Sequence, residues 1–282
     1  MIKIIKVSDP EKIRVQRIHK DMKNLENAFA IAKDVSKNGD AAVKKYEKKF
    51  AKNPKRLPKV LRVSKKTISK ARTQVTKEQL EAIQLAKKYL ENTEKKTLSA
   101  VQKTITVKNS GVRITRSLEP LKSVGCYVPG GNARYPSSAI MSLVPAKVAG
   151  VRRIIVCSPP DETGSIDPLT LTAADICGAS EIYSMGGPHA IAAMTYGTKS
   201  IMPVDKIVGP GGEYVIAAKQ FATMHTNIDM IAGPTELVIA ADAYADPSLI
   251  AADLRSQAEH GPQSWCALIT NSKNIANKVK MN

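Results

Sequence analysis

Apolar positions in the first third of the chain recur at helical spacing. Leu25, Phe29, Ala32 and Val35 form one stripe, and Asn38-Gly39 after it predicts a helix stop. Asp40 is placed to cap a second helix whose face carries Val43, Tyr46 and Phe50. Pro54 and Pro58 mark a loop. Thr76 and Gln79 have the spacing of a capping box ahead of Leu80, Ile83, Leu85 and Leu90, which predicts a further helix. The segment VQKTITVKNSGVRITRS, residues 101–117, then alternates around an Asn-Ser-Gly turn, the pattern of a β-hairpin.

From residue 121 the pattern changes. Short continuous apolar runs alternate with helix-like runs: SVGCYV before SSAIMSLVPAKVAG, RRIIVCSPP before PLTLTAADICGA, EIYSMGG before PHAIAAMTYGT, and VDKIVGPGG before EYVIAAKQFATM. The long apolar stretch DMIAGPTELVIAAD precedes DPSLIAADLRSQAEHG, and WCALIT precedes a last helical run. Strands apolar on both faces, each followed by a helix, predict a parallel sheet covered on both sides. The expected fold is α/β: a helical N-terminal region followed by incomplete Rossmann-like parallel-sheet β-α units. Three segments are expected: 1–120, basic and mainly helical; 121–270, Rossmann-like; and 271–282, where SKNIANKVKMN reads as the first turns of a segment that the chain does not complete.

With 43% hydrophobic and 24% charged residues, the chain has the composition of a globular protein rather than a disordered one. No apolar run reaches the length of about 18 residues that spans a bilayer, and the N-terminus has no secretory pattern. The four cysteines, Cys126, Cys157, Cys177 and Cys266, are scattered among apolar residues, which reads as reduced thiols in a cytoplasmic protein. The net charge of +18 is uneven: residues 1–120 hold 31 Lys+Arg against 12 Asp+Glu, and residues 121–282 hold 12 against 13. An N-terminal excess of this size fits either an anion-attracting patch or solvated helix faces. The lysines are interleaved with glutamates and apolar residues at helical spacing, and only 4% of the chain is aromatic, so nucleic acid is not the expected partner.

Three glycine turns fall where a strand run meets a helix run: Pro129-Gly130-Gly131-Asn132, Gly186-Gly187-Pro188-His189 and Gly209-Pro210-Gly211-Gly212. A fourth, Ala232-Gly233-Pro234-Thr235, lies inside an apparent strand region. In open α/β sheets ligands bind at such turns, because bare backbone and helix N-termini face them. None is the G-x-G-x-x-G fingerprint, and each alone is equally a plain tight turn. Gln257 and His260 are three apart on one predicted helix and share a face. They fit either a pair of metal donors or a helix end capped by an imidazole before Gly261-Pro262. His19 and His225 read as surface residues. No nucleophile elbow, phosphate-binding lysine loop or paired carboxylates occur; Glu236 and Glu259 read as bases or as solvated charges.

Taken together, VGCYVPGGNARYPSSAIMSLVPAKVAGV, MGGPHAIAAMTYGT, VDKIVGPGGEYVIAAK, IDMIAGPTELVIAAD and LRSQAEHGP resemble the histidinol dehydrogenases, in order and in spacing. The resemblance implies oxidation of L-histidinol through the aldehyde to L-histidine, with two hydride transfers to NAD, in histidine biosynthesis. It implies a zinc ion that holds the substrate, with Gln257 and His260 as zinc ligands and substrate contacts and Thr235 touching the substrate. Tyr127 is implied as an NAD contact. The two further NAD positions, usually Gln and Asn in this family, are His189 and Gly212 here. A cytoplasmic homodimer is implied as well. The family's acid-base Glu-His pair and the remaining zinc ligands fall beyond Asn282, so no catalytic residue is assigned within the chain and the chain alone is expected to be inactive. The alternatives are a dehydrogenase of another small alcohol and a non-catalytic basic binding protein.

Overall fold

In the computed structural model, which describes residues 4–7, 21–130, 134–231, 236–258 and 265–281, Gly39 interrupts the first helix as the sequence predicts. Helix α1 (Asp21–Phe50) continues through Gly39 only as a kink, with that residue at φ 53°. The Asp34 carboxylate spans the kink. It accepts from Asn38 (2.6 Å) before it and from Lys45 (2.7 Å) and Tyr46 (2.8 Å) after it. Hydrogen bonds from Lys45, Asn38 and Tyr46 together hold its pKa down at about 2. Asp40 does not cap its own helix; it accepts from the Thr198 hydroxyl and from the Ser200 hydroxyl at 2.7 Å, fastening α1 to a distant loop. The buried stripe of α1 is Ala28, Ile31, Ala32, Val35, Ala42 and Val43, whereas Phe29 and Phe50 stay exposed.

Beyond a short 3-10 turn, Pro54–Arg56, comes helix α2 (Lys65–Arg72), which the apolar pattern does not announce. Its signal is Ser64, whose hydroxyl accepts from the Thr67 amide. Helix α3 (Lys77–Val101) opens on the expected capping box: the Thr76 hydroxyl accepts from the Gln79 amide, and the Gln79 side chain accepts from the Thr76 amide. Thr76→Ala is expected to cost about 1 kcal/mol of stability, measured by urea unfolding, with ligand binding unchanged.

Strands β1 (Ile105–Asn109) and β2 (Val112–Arg116) form the predicted hairpin, with Ser110 and Gly111 both at positive φ. All ten strand residues are exposed. Its Ile105, Val107, Val112 and Ile114 share one face, opposite a polar face built on the facing threonines Thr106 and Thr115.

Five parallel strands follow: β3 (Ser123–Tyr127), β4 (Arg153–Ser158), β5 (Glu181–Ser184), β6 (Lys206–Val208) and β7 (Asn227–Ile228). Helices α4 (Pro136–Val148), α5 (Pro168–Ile176), α6 (Gly187–Tyr196) and α7 (Glu213–Ala222) connect them. The sheet order is β5-β4-β3-β6-β7, so the chain moves outward from β3 in one direction, then returns to its other side at β6. Side chains alternate between two cores. Tyr127, Ile155, Cys157, Tyr183 and Ile207 join residues of α1, α6 and α7 on one face. Val124, Cys126, Val128, Ile154, Val156 and Ile182 join residues of α3, α4 and α5 on the other.

The described chain divides into two compact units, one of residues 19–231 and one of residues 232–282 with 1–18. The compact division falls after residue 231. Helices before residue 120 belong with the sheet because α1 and α3 supply part of its two helical layers. The long apolar stretch around residues 229–242 is likewise not one strand region: β7 ends at Ile228 in the first unit, and β8 (Glu236–Ala241) belongs to the second. In that second unit β8 pairs in parallel with β9 (Trp265–Thr270), accompanied by helices α8 (Pro247–Ala258) and α9 (Lys273–Met281). Ile250, Ala251, Ile275 and Val279 form its core. Among the described residues no helix is long and apolar enough to cross a membrane.

Candidate functional site

The reversal of strand order between β3 and β6 places two predicted glycine turns side by side. Cys126 pairs with Val208, so Tyr127 at the end of β3 lies beside Gly209 at the end of β6. A crevice at such a switch point is where open α/β sheets bind nucleotides.

Gly209 has no substitute there. It holds φ +116°, and a Cβ on it would stand 2.0 Å from the Tyr127 carbonyl oxygen. Both of its backbone polar groups are fixed. Its amide donates to Asp229 Oδ2 at 2.8 Å, and its carbonyl accepts from Lys219 Nζ at 2.9 Å. Lys219 also bonds Asp229 Oδ1, which closes the clamp. Burial pushes the Asp229 carboxyl up, but hydrogen bonds from Lys219, the Gly209 amide and the Met230 amide outweigh it, and its pKa lies below 3.8. Lys219 is 3% exposed, on a helix face it shares with Val215, Ala218 and Ala222. A lysine on the apolar stripe of a helix is a readable sign of a buried ion pair. Neither Lys219 nor Asp229 was singled out by motif.

Three residues past Gly209 the backbone is open. Gly212 is exposed, takes the N-cap position of α7 at φ −69°, and has nothing within 4 Å of where its Cβ would be. No side chain caps this helix, so its first amides are offered to whatever enters the crevice. Glu213 follows in the first turn, where its Oε2 accepts from Asn24 at 2.6 Å.

The turn at Gly186-Gly187 is closed by comparison. The Gly187 amide donates to the Tyr127 hydroxyl at 3.0 Å, and the Gly186 amide donates to Glu47 Oε2 at 3.1 Å. The same Glu47 oxygen lies 2.7 Å from His189 Nε2. Burial raises the Tyr127 hydroxyl to about 12, so it stays protonated through the neutral range. Tyr127 is thus the hub of the edge: its hydroxyl meets the turn that carries His189, and its backbone meets the turn that carries Gly212. Glu47, from α1, is the unforeseen member. It recurs four residues after Val43 on the buried face, but sits in a lysine-rich stretch that reads as surface.

The third turn is only partly described, since Gly131 and Asn132 lie outside the described residues. So do Thr235, Glu259, His260 and His19. Gln257 lies near the end of α8 in the second unit, and its buried Nε2 has no hydrogen-bond partner among the described residues. His225 is exposed after α7, as expected. Among the described residues no group of three or more His, Cys, Asp or Glu could hold a metal.

This is a doubly wound α/β protein with glycine turns gathered at its strand-order reversal. Residues 15–282 match the family model described as Histidinol dehydrogenase, and the chain belongs to that family. It is 41% identical to the histidinol dehydrogenase of Thermotoga maritima across 99% of this chain and 64% of that protein. It is 51% identical to that of Methanothermobacter thermautotrophicus across 60% of this chain and 40% of that protein. The crystal structure of histidinol dehydrogenase from Elizabethkingia anophelis superposes with a TM-score of 0.80 at 37% identity, covering 99% of this chain and 60% of that one. The chain therefore spans less than two thirds of the length of these relatives.

Proposed function

We propose that this chain carries the NAD-binding edge of a histidinol dehydrogenase acting in histidine biosynthesis. The observation that supports it most directly is the convergence on the end of β3: Tyr127, the His189 turn and the Gly209–Gly212 turn meet at the strand-order reversal. The residues suit a dinucleotide. Gly212 leaves the space a cofactor would fill, and the uncapped start of α7 offers amides. Gly212 and Tyr127 would hold it, with His189 behind them. When bound, NAD would accept hydride from the alcohol carbon and again from the aldehyde. The fixed turn and the buried sheet edge would orient it and keep water from it.

On the substrate side, Thr235, Gln257 and His260 are proposed to contact histidinol, on the strength of the family motifs. An amide and one imidazole are two of the four ligands that zinc takes, so these residues do not by themselves make a zinc site. Gln257 Nε2, without a hydrogen-bond partner among the described residues and interchangeable in placement with the amide oxygen, suits a polar ligand of either kind.

The test is an NAD titration followed by calorimetry, together with histidinol-dependent NADH formation by the whole protein. Gly212→Leu is expected to fill the crevice and raise the NAD Kd at least about 10-fold. Because φ there is ordinary and no atom is close, stability should change by no more than about 1 kcal/mol. Unchanged NAD affinity in that variant would move the cofactor away from the β3–β6 edge.

A further inference from the structure

The carboxylate that closes the second turn comes from the N-terminal helix. Glu47 is 5% exposed, and its Oε2 meets both the Gly186 amide (3.1 Å) and His189 Nε2 (2.7 Å). The rings of Tyr46 and Phe50 lie 6.3 and 6.1 Å from the His189 ring and within 28° and 20° of parallel to it. One turn of α1 therefore holds the imidazole at its edge and lays two aromatic rings beside it.

An ionised carboxylate only accepts hydrogen bonds, so Nε2 is the nitrogen that carries hydrogen in this pair. In the neutral ring Nδ1 then holds a lone pair and can only accept. Nδ1 is buried and has no partner among the described residues. Beside it is Gly187, where a Cβ would stand 3.5 Å from Nδ1. The amide of Gly187 is the one bound by the Tyr127 hydroxyl. An unmet acceptor is thus held rigidly within the cluster that Tyr127 organises.

We propose that Glu47 is a positioning residue for the cofactor: it fixes His189 as the Nε2–H tautomer, so that Nδ1 stands as an acceptor for a hydrogen-bond donor of the bound dinucleotide. The donor is a ribose hydroxyl or the carboxamide N–H. This rests on the reading of His189 as a cofactor contact.

Two measurements on the protein test it. In protein labelled with 15N-histidine, the resonance lost in His189→Gln should show the Nε2–H tautomer, and NAD should move its Nδ1 signal upfield as that atom accepts a hydrogen bond. In titrations, Glu47→Ala should raise the NAD Kd about 10-fold, the equivalent of one hydrogen bond. Glu47→Gln, whose amide oxygen still accepts from Nε2–H, should restore most of the affinity. In a His189→Ala background, Glu47→Ala should change Kd less than about twofold, because the group it positions is gone. An effect on ADP-ribose equal to that on NAD assigns the donor to a ribose; an effect confined to NAD assigns it to the carboxamide. Urea unfolding separates lost fold from lost positioning. If Glu47→Ala does not fold, the wild-type tautomer and its response to NAD decide. An Nδ1–H tautomer, an Nδ1 signal unmoved by bound NAD, or an unchanged Kd in folded Glu47→Ala overturns the proposal while leaving the NAD site standing. A wild-type protein that does not bind NAD overturns the underlying reading, and the proposal with it.

Discussion

Alanine at Gly209 is expected to destabilise the β3–β6 edge severely. The new Cβ would lie 2.0 Å from the Tyr127 carbonyl oxygen, 3.0 Å from its carbonyl carbon and 3.1 Å from its nitrogen, all backbone atoms of a central strand. Rotation of Gly209 cannot relieve the clash, because its amide and carbonyl are tied to Asp229 and Lys219. Its φ of +116° is also unfavourable for any residue with a side chain. Strain and clash together should cost on the order of 4 kcal/mol, read as a lower urea midpoint, and NAD binding should be lost with it. A Gly209→Ala protein with near-native stability and NAD affinity would mean that β3 and β6 can part without consequence.

Lys219→Met should come second. It leaves the Asp229 charge without its partner and the Gly209 carbonyl without a donor. Removing one member of a buried ion pair costs about 3–5 kcal/mol, and the partial exposure of Asp229, 29%, places the loss toward the lower end. The double variant Lys219→Met, Asp229→Asn should recover part of it, because the uncompensated charge is gone while an oxygen remains to accept from the Gly209 amide. The same clamp sets a pH dependence. The folded pKa of Asp229 lies below its ordinary 3.8, so its contribution is complete above that value and is lost as pH falls through the folded pKa. The stability difference between wild type and Asp229→Asn should therefore be constant near neutrality and shrink below pH 3.8. A difference that instead shrinks as pH rises would show that Asp229 is not held ionised by Lys219.

Helix stops, caps and strand runs were legible in the sequence because they are local. Asn38-Gly39, the Thr76–Gln79 capping box, the hairpin and the alternation of apolar strands with helices each depend on neighbours within a few residues. The glycine turns were legible for the same reason, and their order along the chain carried the family. What local pattern could not give was which turns are open. Gly186-Gly187 and Gly209–Gly212 read alike, yet the first is closed by the Tyr127 hydroxyl and by a carboxylate 139 residues away in sequence, while the second keeps a bare helix start. Asp40 read as a cap and became a tie to Ser200; Phe29 read as core and faces solvent.

The sequence by itself determined most of the elements, the parallel-sheet class and the glycine turns, since periodicity and turn chemistry are properties of short segments; Tyr127, His189 and Gly212 were singled out as edge residues only through the family resemblance. Only the tertiary structure decided that α1 packs on α6 and α7, that Glu47 meets His189, and that Lys219 and Asp229 lock Gly209. Glu47 and His189 are 142 residues apart, and Lys219 and Asp229, though only 10 apart, meet only through the fold. A buried charge must find a partner, but its own neighbours in sequence do not say which one.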